Sequence, residues 1–262
     1  MKAISSRDNP AVRRLHALAG SARERRKHGE TLLDGAHLLT AALQVGWPLK
    51  ELVVSDHGLA QADIASLLER AAGVPVLHLP DRLFAHVSPV DSPSGVLAVI
   101  ELPAPPPVKT LRDTVVLLDG VQDTGNLGTI LRTAAAAGVA DVLLTPGCAQ
   151  AWAPRVLRAG LGAHFVLRIH EGVDAAERLA AFPGPVIATA LAAGARNLYQ
   201  TDLARPVAWL FGAEGQGLSA EVAALASETV IIPMQGAIES LNVGAAAAVC
   251  LFEQVRQGQR SS

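Results

Sequence analysis

The stretch VVLLDGVQDTGNLGTILR, residues 115–132, decides how the chain folds. An apolar run, Val115 to Leu118, enters a glycine-containing turn at Asp119 and Gly120, and a helix follows through Leu127, Ile130 and Leu131. Strand, turn and helix in this order form the repeating unit of an α/β sheet. The turn can aim backbone N–H groups at an anion, but no lysine follows its glycines as a P-loop requires, and no GxGxxG stands at it. Asn126 and Arg132 lie six apart, so they need not share one helix face. By itself the pair reads first as a turn asparagine and a surface arginine.

Working outward, apolar or β-branched runs at 141–145, 164–167, 186–190, 207–211 and 229–232 alternate with helix-length segments. They predict a mostly parallel sheet covered on both faces. Upstream, strands are expected at 31–33, 51–54, 74–78 and 95–100, with helices at 36–45 and 61–72. Between the two sets lies Leu102-Pro103-Ala104-Pro105-Pro106-Pro107, whose prolines disfavour helix and ladder. The reading is therefore a small α/β domain over 1–102, a proline-rich linker over 103–107 and a second α/β domain over 108–262. The Ala-rich stretches at 133–137 and 244–249 read as tightly packed helices.

Composition narrows the function. With 24 acidic and 22 basic residues in 262, the net charge of −2 excludes a wholly basic nucleic-acid coat. Half the residues are hydrophobic and 3% are aromatic, which fits a core of Ala, Val, Leu and Ile and excludes a disordered chain. Cys148 and Cys250 stand alone, without a CxxC or Cys/His cluster, so neither a disulfide framework nor a metal site is expected. The polar start and the lack of a membrane-spanning stretch point to the cytoplasm. The near-neutral total conceals a basic first segment, where Arg7, Arg13, Arg14, Arg23, Arg25, Arg26 and Lys27 face only Asp8, Glu24 and Glu30. Such a run is either a solvated helix surface or a phosphate-tracking arm. Arg155 and Arg158, three apart on a predicted helix, pose the same choice.

Two further clusters carry chemistry. In WLFGAEGQGLS, residues 209–219, an apolar strand ends in three close glycines around Glu214, with Ser219 placed to cap a helix. In IIPMQGAIESLNVG, residues 231–244, a strand stops at Pro233 and a polar loop leads to a helix capped near Ser240 or Asn242.

Taken together and in this order, NLGTILRTA, FGAEGQGLS and IPMQGAIESLNVGAAAAV resemble the SpoU/TrmH family of S-adenosylmethionine-dependent RNA ribose methyltransferases, within the SPOUT superfamily. TLLDGAHLL and SPSGVLAV more loosely resemble the substrate-binding domain often fused ahead of it. Thr124 stands where members often have proline, and Gly244 where many have serine. The resemblance implies a trefoil-knotted catalytic domain, a homodimer formed through it, and RNA, either tRNA or rRNA, as substrate. It implies that Gly212, Gly217, Leu218, Ile232 and Leu241 hold S-adenosylmethionine and that no metal is needed. Arg132 matches the family's catalytic arginine, and Asn126, Glu214, Ser240 and Asn242 match positions around the reacting groups. Arg7, Arg23, Arg25, Arg26, Arg155 and Arg158 are the expected RNA contacts. A protonated guanidinium cannot accept the proton of the 2'-hydroxyl, so that proton needs either a perturbed Arg132 or a substrate phosphate. A non-catalytic RNA-binding or ribosome-assembly protein on the same fold is the rival reading, and a nicotinamide-dependent dehydrogenase fails for want of its fingerprint.

Overall fold

The computed structural model describes residues 1–190, 194–237 and 239–260, the side chain of Arg260 excepted. Two units are present. The first joins Met1–Ala104 to Gln150–Phe165, and the second joins Pro105–Ala149 to the chain from Val166 onward. The proline run therefore marks one crossing between units, while the later excursion at Gln150–Phe165 lies inside the stretch assigned from sequence to the second domain. Its ties are long-range: Thr31 donates its hydroxyl to the Trp152 carbonyl at 2.8 Å, and Trp47 packs against both Trp152 and Phe165.

The first unit holds strands β1 (Lys2–Ala3), β2 (Glu30–Asp34), β3 (Glu51–Ser55), β4 (Val76–Leu79) and β5 (Val96–Glu101), in the order β1-β4-β3-β5-β2. β1 and β3 run parallel to β4, whereas β5 is antiparallel to β3 and β2, so this sheet is mixed. The helix Pro10–Gly20 begins with proline at its first position, where no N–H is missed, and the Asn9 side chain accepts from Ala11 N–H. Its Val12, Leu15 and Leu18 recur on one face and are buried with Leu32, Val53, Leu97 and Val99.

The second unit holds β6 (Val115–Asp119), β7 (Asp141–Leu144), β8 (Arg168–Glu171), β9 (Val186–Thr189), β10 (Arg196–Asn197), β11 (Ala208–Gly212) and β12 (Glu228–Ile231). Their order is β10-β12-β9-β11-β6-β7-β8, and every pairing is parallel. β6 is buried along its length, which is why it reads as a continuous apolar run rather than an alternation. Val115, Leu117, Ala208 and Leu210 pack on one face with Ala175, Leu179 and Val222. On β11 the alternate residues Trp209 and Phe211 are fully buried, and Trp209 Nε1 donates to Gln254 of the helix Val243–Arg260 at 2.8 Å. That helix packs against Thr124–Ala136, and a Cβ added to Gly244 would lie 3.3 Å from Thr129 Cγ2, so glycine suits the crossing.

One expected strand is displaced. Residues 164–167 do not pair; Ala163–Phe165 form a 3₁₀ turn and β8 follows it. Leu161 and Gly162 have φ of 45° and 93°, which turns the chain, and His164 is drawn inward to the Ala151 carbonyl at 2.9 Å. Of the apolar residues in this stretch, Leu167 is buried whereas Val166 is exposed.

Candidate active site

In a parallel sheet the strand ends lie along one edge, and the loops after them meet where the chain reverses its direction of travel across the sheet. Here β6, β7 and β8 step outward on one side, and the chain then crosses to β9 beyond β11. β11 lies between β9 and β6, so its C-terminal loop and that of β6 occupy the switch point. These are the two glycine-bearing loops singled out in the sequence.

After β11, Ala213 and Gly217 close a tight loop through reciprocal backbone hydrogen bonds of 3.0 and 2.9 Å. Gly217 has φ of 72°, a conformation that favours glycine. A Cβ on Gly212 would lie 2.1 Å from the Gly217 carbonyl carbon, so no side chain fits there. A residue absent from the sequence-derived candidates fixes this loop to the sheet. Asp119, buried at the end of β6, accepts from Thr145 Oγ1 and from the Ser219 backbone N–H, both at 2.7 Å. A carboxylate directly after four apolar strand residues was the available signal, because an acid rarely stays buried there without partners.

Three predicted catalytic residues form one chain of hydrogen bonds. Asn242 caps the helix Val243–Arg260, its Oδ1 accepting from Gly244 N–H at 2.9 Å and Ala245 N–H at 3.3 Å. Its Nδ2 then donates to Asn126 Oδ1 at 2.9 Å, and Asn126 Nδ2 donates to Glu214 Oε1. The backbone cap fixes which end of each amide faces which partner. Asn126 is itself held by the Asp123 carboxylate, which accepts its backbone N–H at 2.7 Å.

Beside this chain opens a cavity of about 790 Å³, lined by all five expected donor-binding residues, Gly212, Gly217, Leu218, Ile232 and Leu241, and by Glu214, Ser240 and Asn242. Its volume lies within the roughly 300–1,000 Å³ of small-molecule and cofactor sites. Its lining mixes apolar residues, among them Ile231, Met234 and Leu241, with polar ones from the Glu214 and Asn242 loops, as a nucleoside site requires. Arg132 stands apart. It is exposed six residues after Asn126, about 9 Å along the helix axis, is not among the cavity-lining residues, and makes no bond to the Asn242–Asn126–Glu214 chain among the described residues.

The candidate RNA contacts divide. Arg7, Arg23, Arg26, Arg155 and Arg158 are exposed. Arg7 lies 2.9 Å from His86 Nδ1, and His86 stacks on His16 with ring centroids 4.1 Å apart. Arg25 does not fit the expectation of a phosphate contact: it is 5% exposed, and its guanidinium donates to Gln150 Oε1 at 2.9 and 2.7 Å and to the Leu18 carbonyl at 2.9 Å. Arg155 donates to the Pro89 carbonyl at 3.1 Å, and Arg158 pairs with the buried Asp34 carboxylate. Among the described residues no group of three or more His, Cys, Asp or Glu is arranged to hold a metal, and no helix is long and apolar enough to cross a membrane.

Fold and site together define an α/β protein whose second, parallel unit holds a nucleoside-sized cavity at its switch point and a carboxylate–amide chain at the edge of that cavity. Residues 113–252 match the SpoU rRNA Methylase family and residues 9–98 the MRM3-like substrate binding domain. The chain belongs to the SpoU rRNA methylase family. It is 34% identical to an uncharacterized tRNA/rRNA methyltransferase of Synechocystis, over 97% of this chain and 93% of that protein. It is 32% identical to the 23S rRNA (guanosine(2553)-2'-O)-methyltransferase RlmP of Bacillus subtilis, over 96% and 98%. The crystal structure of an AdoMet-bound rRNA methyltransferase from Sinorhizobium meliloti superposes with a TM-score of 0.82 at 30% identity, covering 97% of each chain.

Proposed function

We propose that the chain is an S-adenosylmethionine-dependent RNA methyltransferase that methylates a ribose 2'-hydroxyl of rRNA or tRNA. The observation that carries this is the Asn242–Asn126–Glu214 chain at the edge of a cavity lined by every residue expected to hold the donor. The cavity's lining suits S-adenosylmethionine: Gly212, Ile232 and Leu241 would offer it backbone contacts, with Gly217 and Leu218 beside them. When bound, the sulfonium supplies an activated methyl group. The remaining work falls to the chain's own residues.

Glu214 and Ser240 face the cavity, and Asn126 and Asn242 hold Glu214 in one orientation, so the acceptor ribose meets groups already in place. Arg132 as a guanidinium only donates. Its role is to grip the phosphate beside the target ribose, whose oxygen takes the 2'-hydroxyl proton as the new C–O bond forms.

Residues 1–102 select the RNA, with Arg7, Arg23 and Arg26 as exposed phosphate contacts and Arg155 and Arg158 contributing through their remaining donors. Residues 108–262 carry out methyl transfer in a trefoil-knotted fold that pairs into a homodimer. The protein acts in the cytoplasm. The test is methyl incorporation into ribosomal and transfer RNA from labelled donor, with calorimetry of donor binding. Arg132→Ala should lower transfer about 100-fold or more while donor affinity stays within about twofold. Equal loss of both would make Arg132 structural, and tight NAD binding without donor binding would defeat the reading.

A further inference from the structure

A second cavity, of about 430 Å³, opens between the Ala213–Gly217 loop and the turn after β6. The stretch from Ala213 to Leu218, apart from Gly215, lines both this cavity and the donor cavity, so one loop forms the wall between them. Glu214 belongs to that wall. A ribose that meets the donor there would therefore place the rest of its nucleotide on the side away from the donor.

The chemistry of this second cavity is selective. Its buried carboxylate, Asp119, is engaged by Thr145 and the Ser219 N–H and forms a fixed floor. Glu214 receives the Asn126 amide. Two exposed primary amides remain on the lining, Gln122 and Gln216. Among the described residues no lysine, arginine or aromatic side chain lines it. That lining suits neither a phosphate, which needs a cation, nor a stacked base, which needs a flat ring. It does suit the hydrogen-bonding edge of a nucleobase, since each amide offers one acceptor and two donor hydrogens in a plane.

We infer that this cavity receives the base of the target nucleotide, turned out of the RNA, and that Gln122 and Gln216 read its edge. The inference rests on the RNA 2'-O-methyltransferase reading. An enzyme that acts on a single nucleotide gains room by extruding it, and reads it by edge contacts inside a fitted pocket. Gln122 follows the β6 turn by only three residues from Asp119, so the Asp119 contacts that hold the turn also limit where its amide can go.

The test uses the full-length protein and ribosomal RNA extracted from cells that lack it, with methylated riboses mapped nucleotide by nucleotide. Transcripts in which the mapped base is replaced by each of the other three are compared. Gln122 lines the second cavity and not the donor cavity, so Gln122→Ala should bind S-adenosylmethionine as the parent does and lower kcat/KM on the natural RNA about 10- to 100-fold. Its discrimination among the four transcripts should shrink by a similar factor. Gln216 faces both cavities and is judged by discrimination alone, with Gln216→Ala expected to narrow it. A merely structural role would lower rates on all four transcripts equally. That result, or unchanged rate and base choice in both variants, would overturn the inference while leaving the methyltransferase reading standing. A parent enzyme that binds donor but methylates no RNA would overturn both.

Discussion

Two polar clusters, one in each unit, are built in opposite ways. In the first, charged groups close inward: Arg25 is buried on Gln150 and Leu18, and the Asp34 carboxylate is sealed against Arg158. In the second, Asn242, Asn126 and Glu214 are linked at the strand-end edge of the sheet, and two of the three line a cavity. A satisfied buried ion pair fixes a fold without offering anything to a ligand. A chain of amides and a carboxylate beside a cavity retains donors and acceptors for one. An arginine therefore says little about RNA until its acceptor is known.

The sharpest way to break this comparison is to open the loop that walls the cavity and carries Glu214. Gly212→Ala would place a methyl group 2.1 Å from the Gly217 carbonyl carbon, backbone that cannot step aside. The Ala213–Gly217 loop must open, and donor affinity should fall by about 100-fold or more, on the order of 3 kcal/mol. Calorimetric titration with S-adenosylmethionine reads this directly, and near-parental affinity would show that the loop does not shape the cavity.

A second test addresses the inward-closing unit through pH. Burial holds the His164 imidazole down at about 4 from its ordinary 6.5, against the smaller opposing effect of the Ala151 carbonyl, and its Nδ1 has no hydrogen-bond partner among the described residues. The unfolded chain binds a proton near 6.5 that the folded chain refuses until about 4. The stability conferred by the neutral ring is therefore complete above 6.5 and is lost as pH falls through this window, to a total of about 3 kcal/mol. Denaturant titrations of the parent and His164→Phe at pH 7.5 and pH 4.5 should show the parent losing more. Parallel losses would mean that His164 titrates freely.

Much of this was legible in the sequence because it rests on local pattern. The run from Val115 to Leu118 is apolar since β6 is covered on both faces, and the glycines after Phe211 report a loop that excludes side chains. Asn126, Glu214 and Asn242 lie far apart in the chain, and only the family resemblance joined them before their hydrogen bonds did. What stayed hidden depends on contacts that no window contains. Arg25 looks like its neighbours Arg23 and Arg26, and its bonds to Gln150, 125 residues away, and to the Leu18 carbonyl set it apart from them. The strand expected at 164–167 failed over a shorter range, since His164 answers to Ala151, 13 residues back, and to the turn at Leu161 rather than to its own propensity.

The Asp34–Arg158 pair gives a smaller effect. Burial raises the Asp34 carboxyl above its usual range, and Arg158 opposes that rise. Arg158→Ala would leave a buried carboxylate unpaired, at a cost of about 2 kcal/mol, less than for a wholly buried pair because Arg158 is half in solvent. Its carboxyl would then rise further, so the loss should be greatest at neutral pH and shrink as acid protonates the group. Thermal melts at pH 7 and pH 5 test the sign. A deficit that grows toward acid would contradict the pairing.

The smallest effect separates Arg25 from its neighbours. Arg23 and Arg26 are exposed, so replacing both with glutamine should leave the melting temperature within a degree or two. If both touch phosphate, the slope of log K for RNA against log salt should flatten by about 1.4 to 1.8, reflecting two fewer released counterions. Arg25→Gln should do the reverse: it removes donors from Gln150 and the Leu18 carbonyl, lowers stability by about 1–3 kcal/mol and leaves the salt slope of the folded protein unchanged. Filter binding across a salt series, run beside thermal melts of the same preparations, measures both quantities. An Arg25 variant that changed the salt slope without losing stability would return Arg25 to the RNA-binding surface and dissolve the contrast between charges closed inward and polar groups set beside a cavity.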